Sequence, residues 1–165
     1  MAFDAYLKIE GIPGESKDER HADWIQIKTY SIGVNQISTE AGDAGGGPAG
    51  RADFHELEIT KDIDIASPAL SQACSKGTHI KEVKLELWRA GGDGPVKFME
   101  YKLDQCTVVS VRSSGSSSLQ APLPVETVTF NYAQIVWTYI QQIRADGSGG
   151  GPVVLGWDLE KNSPI

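Results

Sequence analysis

The sequence is short of the residues that usually carry chemistry. It has only two cysteines, Cys74 and Cys106, and they form no Cys-x-x-Cys pair. A disulfide framework is excluded by that count, and a thiolate zinc site by the lack of tightly spaced Cys or His ligands. Two buried thiols are the expectation, with a single bridge between them left open. The three histidines, His21, His55 and His79, lie in different segments. Cys74 and His79 are close in sequence, but Gly77 ends a helix between them. A buried thiol and an exposed turn histidine therefore explain them better than a catalytic Cys-His pair.

Positive charge is also scarce. Lys and Arg number 15 against 22 Asp and Glu, for a formal charge of −7. That balance argues against a nucleic-acid binder, which neutralises phosphates with clustered basic residues. No stretch approaches the ~18 uninterrupted apolar residues of a membrane-crossing helix, so no membrane insertion is expected. The start, Met1-Ala2-Phe3-Asp4-Ala5-Tyr6-Leu7-Lys8, has neither a basic opening nor an apolar run, so no signal peptide is read there. A cytoplasmic product follows.

Glycine, by contrast, is abundant and clustered. Residues 41–50, 90–95, 113–118 and 146–152 are rich in Gly, Ser and Pro, and each is expected to be a loop. The first ends in Pro48-Ala49-Gly50-Arg51-Ala52. A phosphate-binding loop would need Lys-Ser/Thr directly after its last glycine, so a mobile or partner-ordered loop is the better reading.

Between the loops lie runs with a period of two. Val83, Leu85 and Leu87 alternate with Glu82, Lys84 and Glu86; beyond the turn at Gly91-Gly92-Asp93-Gly94, Met99, Tyr101 and Leu103 alternate with Glu100, Lys102 and Asp104. This predicts a β-hairpin with one solvated, charged face. Strands are also expected around Phe3–Ile9, Ile25–Ile27 and Leu57–Ile59, and one long strand from Val125 to Ile140. Ser67-Pro68-Ala69-Leu70 through Lys76-Gly77 predicts one helix, with Ser67 as its cap, Pro68 at its first position and Gly77 just past its end. The fold class is mainly β: a single small barrel or sandwich of antiparallel strands over residues 1–165 with one short α-helix. The last residues read as a short flexible tail.

Glu82, Glu86, Glu100 and Asp104 could in principle serve as a hydrolase's carboxylates, but cross-strand pairing with Lys84 and Lys102 accounts for them. A monomeric barrel holding a small apolar ligand is the alternative function. No catalytic residue, cofactor or metal site is assigned. Unpaired strand edges raise a third possibility, pairing with identical copies into a closed ring.

A set of ordered segments points further. Phe3-Asp4-Ala5-Tyr6-Leu7-Lys8-Ile9, His21-Ala22-Asp23-Trp24-Ile25, Tyr30-Ser31-Ile32-Gly33-Val34-Asn35-Gln36, Ser67-Pro68-Ala69-Leu70, Ala73-Cys74-Ser75-Lys76-Gly77-Thr78-His79, Phe130-Asn131-Tyr132-Ala133-Gln134-Ile135 and Gly156-Trp157-Asp158-Leu159 occur in this order. Together they resemble haemolysin-coregulated protein (Hcp), the tube component of bacterial type VI secretion. The resemblance implies a β-barrel that forms a homo-hexameric ring, rings stacked into a tube, a trimeric spike protein at the tip, a contractile sheath outside and effector proteins carried in the lumen. It also implies export from the cytoplasm without a signal peptide, no toxin domain after residue 165, and no catalytic step. Ser31 falls on the segment resembling the lumen lining. The loop containing Asp43, Gly45, Gly46, Gly47 and Arg51 is the expected ring-stacking contact. Ile65 departs from the resemblance, standing where relatives more often carry a polar residue.

Overall fold

The computed structural model describes residues 2–36, 50–141 and 151–165. The chain runs β1 (Asp4–Ile9), β2 (Ile25–Ile27), β3 (Thr29–Ser31), β4 (Val34–Asn35), β5 (Asp53–Phe54), β6 (Leu57–Asp62), α1 (Ala66–Lys76), β7 (His79–Gly91), β8 (Gly94–Ser114), β9 (Val125–Asn131), β10 (Gln134–Tyr139), β11 (Val153–Asp158) and β12 (Ser163–Pro164). Every pairing between these strands is antiparallel.

The strands close into a barrel through a corner at Lys28. β2 pairs with β1, and β3, one residue further on, pairs with β6. The Lys28 N–H donates to the Thr60 carbonyl at 2.7 Å, which keeps the ladder continuous between them. β6 then pairs with β9, β9 with β8, β8 with β7 and β7 with β1. Alternation sets which side chains face inward: Leu7, Ile25, Leu57, Ile59, Leu85, Leu103, Val128 and Phe130 are fully or almost fully buried. Burial of side chains of this size stabilises the fold by roughly 1.5–3 kcal/mol each. The barrel interior is thus filled by its own residues.

The hairpin matches the alternation. Leu85 faces Tyr101 and Leu87 faces Met99 across β7 and β8. The Val125–Ile140 run is not one strand. It breaks at Tyr132-Ala133 into β9 and β10, which lie end to end along the same edge of β8. Opposite the break, Gln105 of β8 adopts a left-handed conformation with φ 55°. Strand and partner bend together there, and β8 passes out of the barrel into a second region, the sheet β8–β10–β11–β12. The C-terminal residues are likewise not a loose tail: β12 pairs with β11, and the Ile165 N–H donates to the Gly156 carbonyl at 3.2 Å.

The helix ends as its sequence predicts. Gly77 has φ 62°, and the Thr78 N–H donates to the Ala73 carbonyl at 3.0 Å. Its start differs. Ala66 is the first helical residue, and Ser67 does not cap. The Asp64 carboxylate accepts the Ala66 N–H at 2.9 Å, while the Ser67 hydroxyl donates to Glu126 at 2.7 Å. The serine is drawn away by a buried charge cluster. Lys61, with no exposed surface, contacts Glu126 at 2.7 Å, Asp64 at 2.8 Å and the Asp62 carbonyl at 3.0 Å. This cluster ties α1 to β6 and β9. Leu70, Ala66 and Ala73 form the helix face that packs inward.

Candidate assembly surface

Two sheet faces stand out, and the alternation of the strands builds both. The first is the outer face of β3–β6–β9–β8. Its rows run Ser31, Glu58, Thr129, Ser110 and Thr29, Thr60, Thr127, Arg112, each residue opposite the next across the ladder. Six of the eight are Ser or Thr, with Glu58 and Arg112 the charged exceptions, and they face outward because the residues at alternate positions (Leu57, Ile59, Val128, Phe130) point into the core. Ser31 is exposed at the edge of this smooth, polar face, opposite Glu58.

The second is the face that continues the core beyond the barrel. The row Leu85, Tyr101, Trp137, Leu155 crosses β7, β8, β10 and β11, and the row Leu87, Met99, Tyr139, Val153 runs beside it. Leu85 is buried, yet at the far end Tyr139 is 45 %, Val153 58 % and Leu155 67 % exposed. Phe54 stacks on Trp137 with ring centroids 6.4 Å apart and covers part of the surface. The remainder is an apolar face that, among the described residues, nothing covers. Gly156 lets the C-terminus fold back on this sheet: a Cβ there would lie 3.1 Å from the Ile135 carbonyl and 3.3 Å from the Ile165 side chain.

Of the residues expected to stack rings, Arg51 is exposed and its guanidinium donates to the Leu159 carbonyl, which ties it to the C-terminal segment. Asp43, Gly45, Gly46 and Gly47 lie outside the described residues. Ile63 and Ile65 are exposed beside the start of α1.

The outward face of the hairpin carries charge in stripes. Lys8, Lys84 and Lys102 lie in one row across β1, β7 and β8, with Glu82 and Asp104 in the next. Like charges face each other directly, which is unfavourable, and contacts between the rows offset it: Lys102 lies 3.6 Å from Glu82 on the diagonal, and Lys84 3.8 Å from it along β7. One expectation fails on this face. Glu86 is not solvated but buried, bonded to His21 at 2.8 Å and to the Trp88 indole N–H at 2.9 Å. Residues 12–24 fold across this part of the hairpin, and alternation within β7 carries no information about that cover. His21, which the sequence offers only as one of three scattered histidines, is the residue missed. The Asp18-x-x-His21-x-x-Trp24 spacing was the available signal.

The side chains suited to nucleophilic chemistry are turned to packing. Burial pushes the Cys106 thiol up to about 12, which disfavours the thiolate. Both cysteines are free. Burial likewise raises Tyr132 to about 12, and its hydroxyl donates to the His55 carbonyl at 2.7 Å. His79 is exposed at the start of β7. Among the described residues no group of three or more His, Cys, Asp or Glu side chains is arranged to hold a metal ion, and no helix is long and apolar enough to cross a membrane.

Among the described residues, a closed antiparallel barrel with one helix, an uncovered apolar extension and a smooth polar face defines a β protein whose prominent features are surfaces. Comparison with known proteins narrows this. The family described as type VI secretion system effector, Hcp, matches residues 6–139. Protein hcp1 of Pseudomonas aeruginosa is 39 % identical over 163 residues, covering 98 % of each chain. A solved structure described as a type six secretion system protein superposes with a TM-score of 0.89 at 31 % identity, covering 99 % of this chain and all of the other. Hcp1 from Salmonella typhimurium gives a TM-score of 0.81 at 30 % identity over the whole of both chains. The chain belongs to the Hcp family of secreted type VI secretion system proteins.

Proposed function

We propose that six copies of this chain close into a ring and that stacked rings form the inner tube of a type VI secretion machine. A contractile sheath drives the tube out of the cytoplasm behind a trimeric spike protein, and the lumen carries effector proteins. The work is mechanical, and no catalytic step is needed. The observation that carries this reading is the uncovered apolar face of β10 and β11, which continues the core row for row. Obligate interfaces between identical subunits resemble a domain core cut in two. Val153 and Leu155 would complete that core against the neighbouring copy.

The hydroxyl-rich face bearing Ser31 supports a lumen role. Small polar side chains leave a wall with no strong hold on passing cargo, and a bulky replacement at Ser31 would reduce cargo retention without breaking rings. Arg51 and the glycine loop preceding it are assigned to stacking contacts between rings. The test is electron microscopy of the purified protein. Hollow annular particles are expected, and a field of compact single copies at high concentration would overturn the proposal.

A further inference from the structure

We propose that His21 is a proton-dependent clamp that fastens residues 12–24 to the β1–β7 face and so helps hold the barrel closed. The ring is 2 % exposed and lies between two carboxylates. Its Nδ1 is 2.7 Å from Asp18 Oδ1, and its Nε2 is 2.8 Å from Glu86 Oε2. An ionised carboxylate only accepts hydrogen bonds, so both contacts are bonds only when both ring nitrogens carry protons. Aromatic rings fix the orientation: Tyr6 stacks on the imidazole at 4.0 Å with 3° between planes, and Trp24 and Trp88 meet it edge-on at 4.8 and 5.0 Å. The histidine cannot turn away to find another partner.

Charged groups from each packed element face this site. Asp18 and Arg20 come from the segment itself, with the Arg20 guanidinium 5.5 Å from the Trp88 ring. β1 supplies Asp4, Tyr6 and Lys8, whose ammonium lies 5.8 Å from the Trp24 ring. β7 supplies Glu86, and β8 supplies Lys97, which bridges Glu86 at 3.3 Å and Glu100 at 2.7 Å. Burial works against ionisation of Glu86, but bonds from His21 and Trp88 and the charge of Lys97 outweigh it and hold that carboxyl below its ordinary range. The bond from His21 does the same for Asp18.

The clamp bears on closure because of where it sits. The segment folds on itself through Gly14 N–H to the Asp23 carbonyl at 2.8 Å and Ser16 N–H to the Trp24 carbonyl at 3.0 Å. Gly14 lies so close to Trp24 that a Cβ would fall 2.4 Å from its carbonyl oxygen. Trp24 leads directly into β2, the strand that joins β1 to the closing corner at Lys28. Loss of a ring proton breaks one of the two bonds and leaves a carboxylate facing a bare nitrogen. Closure then loosens as the ring gives up its second proton. On the acid side the sign reverses: Asp18 and Glu86 hold while ionised and release as pH falls below the ordinary carboxylate range.

The test uses the full chain with ¹⁵N-labelled histidine, which gives three pairs of ring signals, assigned by His21→Gln. Where residues 12–24 are fully protected, both nitrogens of His21 should be protonated, and on raising the pH the amide protection of those residues should fall about tenfold in step with loss of one ring proton. In Asp18→Asn the amide oxygen still accepts the Arg20 and His21 N–H groups and the Nδ1 proton, but the charge is gone, so the ring should lose its second proton, and protection should fall with it, at a lower pH than in the parent. A bare His21 nitrogen where residues 12–24 are fully protected, or protection that ignores the ring's protonation, overturns the proposal.

Discussion

One strand, β8, runs through two regions that treat the same alternating pattern in opposite ways. In the barrel, Val108 and its neighbours Phe130 and Val128 are covered on every side. Past the bend at Gln105, Met99 and Tyr101 begin rows that end in Leu155 and Val153, which stand open. The barrel spends its apolar residues on folding one copy; the extension leaves its own open, and in the proposed assembly it holds them for another. Stability and assembly are thereby separable along a single strand, and mutations can be chosen to strike one and spare the other.

The largest effect falls on the barrel side. Lys61→Ala leaves Glu126 buried without its cation, and a loss of about 3–5 kcal/mol is expected in denaturant unfolding. Assembly would fail there only because folding fails. On the extension side, Leu155→Asp removes an exposed side chain, so the melting temperature of the isolated copy should hold while assembly is lost. Equal damage to folding from both variants would erase the distinction.

The boundary between the regions gives a smaller effect. Gln105 holds a left-handed backbone at φ 55°, so Gln105→Gly should leave stability unchanged or raise it slightly, whereas Gln105→Val should cost about 1–3 kcal/mol. At the far edge, Asp158 accepts the Lys161 and Glu160 N–H groups and the Gln134 amide, which hold its carboxyl below the ordinary range. Its contribution is present above the usual Asp range of about 4 and is lost as pH falls through its lowered value. Amide exchange should show β11 and β12 loosening in acid before the barrel does. The mildest expectation concerns stacking. Each copy carries −7, six times that in the proposed ring, and salt screens repulsion beyond about 8–10 Å. Rings should stack poorly at low salt and better at higher salt by sedimentation; long tubes that dissolve as salt rises would contradict this.

The sequence exposed these regions unevenly. The hairpin was legible because alternation on both sides of a Gly-rich turn leaves few other ways to pair, and the Lys76-Gly77 ending of α1 because its signals are local. The break at Tyr132-Ala133 was not, since the run stays apolar while its pairing strand on the far side changes from β6 to β11. Ser67 looked like a cap because Glu126, the carboxylate that takes its hydroxyl, lies 59 positions away and meets it only in the fold. Glu86 looked solvated for the same reason: the cover over it comes from residues more than sixty positions earlier. Ser31 enters as an expectation from family resemblance and Arg51 from the glycine-rich loop it closes, whereas the open Val153–Leu155 face follows a Gly-rich stretch and reads locally as an ordinary short strand.

The measurement that bears most directly on the reserve face is the solution mass of the wild-type chain and of Leu155→Asp by light scattering, with circular dichroism on both. Particles of six times 17.8 kDa for the wild type, and a folded single copy for the variant, are the predicted result. A wild-type protein that stays at 17.8 kDa at high concentration, or a variant that assembles as well as the parent, would contradict the account.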